Sequence, residues 1–183
     1  PSAVDMEGLA LDLRELVEDE LLLAMHYSER IGAGQLATAH RRYGELLEGG
    51  VRSPSRVPVR GWEPDRRLRL GFVSSDLRRH AVAQFVEPLW THLDRSHFDC
   101  VAYFNHPRAD DVSERLRGLV TQWHDVHALD DAALEARVRA DGIDILIDLN
   151  GHTPGNRLPL FARRPAPVQA TWLGYPDTTG LRA

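Results

Sequence analysis

Apolar residues recur at helical spacing through the first quarter of the chain. Between Met6 and Leu47 they fall on one helical face, at Leu9, Leu13, Leu16, Val17, Leu36, Ala39, Tyr43 and Leu47. Two glycines near position 33, in Ile31-Gly32-Ala33-Gly34, interrupt this spacing. The pattern predicts two or three helices, and we assign residues 1–48 to a helical segment.

The spacing then disappears and returns in a different form. Residues 49–66 contain glycines, serines and three prolines without periodicity, which predicts a linker. From residue 67 strand and helix patterns alternate. We predict strands over residues 68–73, 99–104, 123–126, 143–149 and 168–173. Helical stripes between them cover residues 85–93 and 112–120, and a third helix begins at Asp130 and ends at Gly142. This alternation favours one α/β lobe over residues 67–183, with a mostly parallel sheet covered on both faces.

Composition narrows the range of functions. All 22 basic residues are Arg, so these residues cannot complete a Walker phosphate loop or a Schiff base, both of which need Lys. A net charge of −5 without a basic face predicts no nucleic-acid binding. No apolar run predicts a membrane span or a signal peptide, and we expect a cytoplasmic protein. Cys100 has no disulfide partner and lies in an apolar segment, where we expect it to be buried.

Polar clusters follow three of the predicted strands. They cover residues 74–80, 150–156 and 174–180. Ligands of parallel α/β sheets collect where strands end and helices begin, so the three clusters are predicted to meet at one rim. The alternative is that the first two are ordinary turns, with Asp76 and Ser75 capping and His80 in solvent. His124 and His127 stand on opposite faces of a predicted strand, which argues against a shared metal.

The sequences of these segments resemble one family. RLRLGFVSSDLRRH (67–80), DILIDLNGHTPGNR (144–157) and RRPAPVQATWLGYPDTTG (163–180) are similar to the catalytic region of protein O-GlcNAc transferases, including the SPINDLY-type O-fucosyltransferases of plants. The resemblance implies the Rossmann-like N-terminal lobe of a two-lobed GT-B glycosyltransferase from a bacterium. In that family, helices join this lobe to tetratricopeptide repeats. A C-terminal catalytic lobe, expected beyond this chain, holds most of the nucleotide-sugar site.

The resemblance also assigns roles to particular positions. His80 matches the family's active-site histidine, and Asp76 an aspartate proposed to remove a proton. Thr153 and His152 match a segment near the donor. The residues that line the sugar correspond to Leu173, Gly174 and Pro176, with close approach expected at the bare backbone of Gly174.

The implied reaction is metal-independent, with no cofactor. A Ser or Thr hydroxyl of a protein or peptide acceptor attacks the anomeric carbon with inversion, and a nucleoside diphosphate departs. UDP-GlcNAc is the favoured donor. The segment Asp177-Thr178-Thr179-Gly180 is more similar to SPINDLY-type proteins, which leaves GDP-fucose as an alternative sugar donor. Two further alternatives are a non-catalytic peptide-binding scaffold and an unrelated Rossmann-like domain. If the donor binds between two lobes, this chain alone is expected to bind UDP weakly and transfer no sugar.

Overall fold

Five parallel strands form the centre of the protein in the computed structural model, which describes residues 17–51 and 66–182. Their order across the sheet is β3-β2-β1-β4-β5, and every neighbouring pair is parallel. The strands are β1 (Leu68–Ser74), β2 (Phe98–Phe104), β3 (Gln122–Asp125), β4 (Ile145–Asp148) and β5 (Val168–Thr171). This is the parallel α/β fold expected from the alternating pattern and the Rossmann-like lobe implied by the resemblance, with each predicted strand present.

Six helices are present in the described ranges. The described part of α1 covers residues 17–25, and the others are α2 (Ala33–Gly50), α3 (Ala81–His92), α4 (Asp111–Arg117), α5 (Asp131–Ala140) and α6 (Leu158–Ala162). Asp130 caps α5 as predicted, its side chain accepting from the backbone N–H of Ala133. The prediction for α4 ran past its end at the C-cap Gly118. The five-residue α6 was not predicted, because it is too short for a helical stripe.

The predicted division into segments stays a prediction. Helix α2 continues to Gly50, two residues beyond the predicted end of the helical segment. Most of the predicted linker, and the apolar positions before Val17, lie outside the described residues.

The three central strands pack on both faces of the sheet, because successive side chains of a strand point to opposite sides and helices cover each side. Phe72 of β1 packs with Trp90 and Leu116, from α3 and α4, on one face. Val73, the next residue, packs on the other face, against apolar side chains of α5 and α6. Cys100 is fully buried as expected, and burial raises the pKa of its thiol to about 12.

The N-terminal helices pack directly on the lobe. Leu22 of α1 and Tyr43 and Leu47 of α2 form a third apolar cluster with Leu158 and Ala162 of α6. Helices α1 and α2 are therefore held against the lobe by apolar burial. In the described ranges, none of the helices is long and apolar enough to cross a membrane.

Candidate functional site

The sheet topology brings two of the three polar clusters together. β1 and β4 are neighbours, but the chain leaves β1 toward β2 on one side of the sheet and leaves β4 toward β5 on the other. At such a switch point the loops diverge, and a crevice opens beyond the carboxyl ends of the strands. Residues 74–80 follow β1 and residues 150–156 follow β4, so both clusters border this crevice.

The crevice is a cavity of about 760 Å³, which we call the β1–β4 cavity. Most of the side chains around it are polar: Ser75, Asp76, Arg78, His80, Asn105, His106, Pro107, His127, Asp131, Thr153, Pro154, Gly155, Asn156, Arg157 and Pro159. Three residues expected from the sequence, Asp76, His80 and Thr153, are among them. The turn that follows each strand thus contributes to a shared wall, as the sequence predicted for these two clusters.

Asp76 and His80 form a pair on the cavity wall. The nearest atoms, His80 Nδ1 and Asp76 Oδ2, are 3.7 Å apart. The carboxylate is largely buried, whereas the imidazole is 42% exposed. His80 is also the N-cap of α3, and its Nδ1 accepts the backbone N–H of Val82 at 3.3 Å. One side chain therefore ends the loop, begins the helix and faces the cavity.

Asn150 ties the two clusters to each other, a role that sequence reasoning missed. Its Oδ1 accepts the N–H of Ser75 at 3.0 Å, and its Nδ2 donates to Asp76 Oδ2 at 3.1 Å. The same amide nitrogen lies 3.1 Å from the hydroxyl oxygen of Thr153. The available signal was its position directly after the predicted strand over residues 143–149. Because Asn150 is buried, it fixes the carboxylate of Asp76 relative to the second cluster.

Two arginines of the cavity have different roles. Arg157 is committed to the wall, since it pairs with Asp131 and donates to Asn105 and to two backbone carbonyls. Arg78 is only loosely held, with Nη2 3.8 Å from Asp76 Oδ1. Its buried Nε lacks a hydrogen-bond partner among the described residues. Arg78 is therefore the cation of this cavity with donors left for a ligand.

The third cluster does not reach this cavity, contrary to the prediction of one shared rim. Leu173 has a positive φ of 80° and packs against the core beside Leu149. A Cβ on Gly174 would lie 1.9 Å from the carbonyl oxygen of Leu149. The bare backbone of Gly174 is thus required by the packing of the chain itself. Pro176 is exposed. The sugar contacts of these three residues stay predictions.

The side chain of His152 also lies away from the cavity, in a separate group of polar side chains between the N-terminal helices and the lobe. Its ring is buried, and Nδ1 is 2.7 Å from Asp19 Oδ1 of α1. Tyr175 fills the neighbouring space, with its hydroxyl 2.8 Å from Nε2 of both His26 and His40. We call these five residues the helix–lobe junction. The predicted donor contact of His152 stays a prediction, because its side chain here faces α1 and α2.

Burial sets the protonation of the junction. It lowers the pKa of His40, outweighing the hydrogen bond to the Leu36 carbonyl that raises it. Burial also raises the pKa of the Tyr175 phenol, and the carboxylates of Asp177 and Asp19 act in the same direction. Both shifts favour the uncharged forms, so the junction holds a neutral imidazole and a neutral phenol at neutral pH.

The remaining histidines are divided between the cavity and the surface. His106 and His127 line the β1–β4 cavity. His124, on β3, stacks on Tyr103 and has Nε2 3.2 Å from Asp141 Oδ2. His124 and His127 are thus directed to different surroundings, and no pattern in the sequence distinguished His127 from its neighbour.

Comparison with known proteins gives the family. Residues 51–182 match the model of glycosyl transferase family 41, and the chain belongs to this family. It is 37% identical over 169 residues to the probable UDP-N-acetylglucosamine–peptide N-acetylglucosaminyltransferase SPINDLY of Solanum lycopersicum, which is 87% of this chain and 18% of that protein. The corresponding SEC protein of Arabidopsis thaliana is 34% identical over 130 residues, 69% of this chain and 13% of its own length.

A solved structure agrees with this assignment. A mutant of the O-GlcNAc transferase of Thermobaculum terrenum superposes with a TM-score of 0.85 and 41% sequence identity. The match covers 94% of this chain and 34% of the transferase. The chain therefore spans about one third of that structure and under one fifth of the curated relatives. The family resemblance seen in the sequence is confirmed.

Proposed function

We propose that this chain is the Rossmann-like lobe of a protein glycosyltransferase that moves GlcNAc from UDP-GlcNAc to Ser or Thr hydroxyls. Membership of glycosyl transferase family 41 supports this reaction class. The names of the relatives, N-acetylglucosaminyltransferase and O-GlcNAc transferase, support the sugar. The proposal includes a second catalytic lobe that completes the nucleotide-sugar site, a protein or peptide acceptor, joining helices that lead to tetratricopeptide repeats, and a bacterial, cytoplasmic protein.

The observation that carries the proposal is the Asp76–His80 pair on the wall of the β1–β4 cavity. Transfer with inversion has two chemical requirements: a proton must leave the acceptor hydroxyl, and the departing diphosphate needs compensating charge. A buried carboxylate beside a half-exposed imidazole supplies a proton acceptor and a hydrogen-bond donor in one place.

The contacts of His80 indicate that its ring acts as a hydrogen-bond donor toward the cavity. Nδ1 accepts the N–H of Val82, so in the neutral ring the proton resides on Nε2. Nε2–H donates to an anionic oxygen, whereas proton removal through Nε2 requires the opposite tautomer. We therefore propose that His80 orients and stabilises the nucleotide sugar. Of the two residues, Asp76 is then the better placed to accept the proton of the acceptor hydroxyl.

Arg78 is the proposed cationic partner of the diphosphate within this lobe. The chain has no Lys, and the loosely held guanidinium of Arg78 lines the same cavity as His80, the N-cap of α3. Backbone N–H groups at a helix N-terminus add favourable dipoles for an anion. With these groups present, we propose that the transfer step is metal-independent and uses no cofactor.

A pair of substitutions at one position tests the proposal. The assay uses the full-length protein encoded by the gene for this chain and measures the transfer of GlcNAc to a Ser- or Thr-containing peptide. His80→Ala should lower turnover about 100-fold, because it removes the hydrogen-bond donor Nε2–H from the cavity wall. His80→Gln places an amide N–H near the former Nε2 and should recover at least a tenth of the activity. His92→Gln, an exposed substitution, is the control.

Two outcomes decide the role of His80, and a competition experiment decides the sugar donor. Equal loss in His80→Ala and His80→Gln contradicts the donor role and assigns proton transfer to the ring. Near-normal turnover in a folded His80→Ala variant removes His80 from the reaction. Competition between UDP-GlcNAc and GDP-fucose then settles the donor: preference for GDP-fucose overturns the GlcNAc assignment, and binding of neither favours a scaffold.

A further inference from the structure

Three ligand-type atoms converge at the outer end of the helix–lobe junction. They are a ring nitrogen of His26, a ring nitrogen of His40 and a carboxylate oxygen of Asp177, and all lie within 4.8 Å of one another. His26 follows α1, His40 belongs to α2, and Asp177 lies in the loop after β5. None of the three lines the β1–β4 cavity. This cluster is therefore separate from the proposed transfer site.

The hydrogen bonds around the cluster orient His40 as a metal ligand. Nδ1 of His40 lies 2.8 Å from the carbonyl oxygen of Leu36, an atom that only accepts, so Nδ1 carries the proton. The lone pair of the neutral ring is then on Nε2, which faces Tyr175, His26 and Asp177. A ligating histidine usually donates its other N–H to a backbone carbonyl in this way.

The cluster is closed on one side and open on the other. His40 is fully buried, whereas the side chains of His26 and Asp177 are 21% and 35% exposed. Asp177 Oδ1 accepts the N–H of Thr178, and Oδ2 lies 3.9 Å from His26 Nε2. An ion can thus enter from solvent toward a fixed imidazole. Ligation of one ion requires the two outer side chains to rotate toward His40, since the three atoms are separated by up to 4.8 Å.

We propose that His26, His40 and Asp177 bind one zinc-type divalent transition-metal ion. Two imidazole nitrogens and one carboxylate oxygen suit Zn²⁺, whereas Mg²⁺ and Ca²⁺ prefer a sphere of oxygen ligands. The Tyr175 hydroxyl now lies between the two imidazoles, where it donates to His40 Nε2 and accepts from His26 Nε2–H. His26 therefore moves this proton to Nδ1 or releases it when the ion binds, and water or the Tyr175 hydroxyl occupies the fourth position. The site would fasten both N-terminal helices to the last loop of the lobe. No local spacing in the sequence points to this cluster, because its residues are far apart in the chain.

The binding test uses the 183-residue chain, freed of metal with a chelator and then dialysed against Zn²⁺. We expect one Zn²⁺ per chain in the wild type, with an increase in Tm on binding, and at least tenfold weaker binding in both His26→Gln and Asp177→Asn. His92→Gln is the control and should bind like the wild type. Circular dichroism first establishes that each variant is folded.

A spectroscopic readout distinguishes this site from surface histidines. X-ray absorption at the zinc edge, or the visible bands of bound Co²⁺, should indicate four-coordination with two imidazoles. Absence of binding at micromolar Zn²⁺ overturns the proposal. Binding that both substitutions leave unchanged also overturns it, as does a spectrum without imidazole. These results do not depend on sugar transfer, so the metal site and the proposed function fail independently.

Discussion

The β1–β4 cavity and the helix–lobe junction contain the same chemical pair in two environments. In the cavity, His80 and Asp76 are 3.7 Å apart, and the imidazole is 42% exposed. In the junction, His152 and Asp19 are 2.7 Å apart, and the imidazole is fully buried. Burial of a polar pair is costly without close hydrogen bonds, and the short His152 Nδ1–Asp19 contact offsets part of that cost. His152 Nε2 has no hydrogen-bond partner among the described residues. The exposed pair keeps hydrogen-bonding capacity for a ligand.

This difference shows why residue type alone did not locate the site. The resemblance to the family selected both His80 and His152, but solvent access separates them. The junction stabilises the contact between the helices and the lobe, whereas the cavity leaves a carboxylate, an imidazole and a guanidinium available. Substitutions in the two regions should accordingly affect different measurements.

The largest effect on stability is expected at the loop that fills the junction. Gly174→Ala places a Cβ 1.9 Å from the Leu149 carbonyl oxygen, which the buried backbone cannot accommodate without moving. We expect a loss of more than about 3 kcal/mol in the free energy of unfolding, measured with urea. Gly49→Ala in α2 is the control, since its Cβ meets open space. A loss below about 1 kcal/mol contradicts this tight packing.

The next largest effect is expected at the buried pair. His152→Ala removes one of the two side-chain partners of Asp19, the other being Asn156, and leaves space among the rings of His40, Tyr43 and Tyr175. We expect the free energy of unfolding to fall by about 2–3 kcal/mol. Urea unfolding followed by circular dichroism measures this value. If His152→Ala is as stable as the wild type, the junction does not differ from the cavity in the way proposed.

A smaller effect is expected at the turn that leads from β4 into both regions. Asp148 accepts the N–H groups of Asn150 and Gly151 and the hydroxyl of Thr171. Asp148→Asn replaces one accepting oxygen with a donor and should cost about 1–2 kcal/mol of unfolding free energy. Thr171→Val removes only one of the three bonds and serves as the comparison. Equal costs for the two variants argue against anchoring by the carboxylate.

The smallest effect on stability is expected at the exposed pair. His80→Ala removes a single N-cap hydrogen bond, to Val82, and should lower the free energy of unfolding by about 1 kcal/mol or less. The same substitution is expected to have the large effect on turnover stated above. Thermal unfolding of His80→Ala beside His152→Ala sharpens the contrast. A greater loss of stability for His80→Ala reverses it.

Several parts of the molecule were predictable from local pattern. Alternating strand and helix spacing gave the parallel α/β fold, because periods of 2 and 3.6 residues follow from backbone geometry. Placement of Asp76, His80 and Thr153 at the ends of β1 and β4 followed from the rule that parallel strands present their carboxyl ends at one edge. Helix α6 was missed because its five residues are too few to express a period.

Only the tertiary structure decided which of these polar residues remain open to solvent. The contacts of Tyr175 with His26 and His40, and of His152 with Asp19, join residues more than 100 positions apart. They depend on how α1 and α2 pack against the lobe, and no local spacing encodes that packing. The sequence by itself determined the sheet and the strand ends that carry its polar residues. Long-range packing determined that the loop after β5 fills the junction rather than the cavity, because burial depends on neighbours that are distant in the chain.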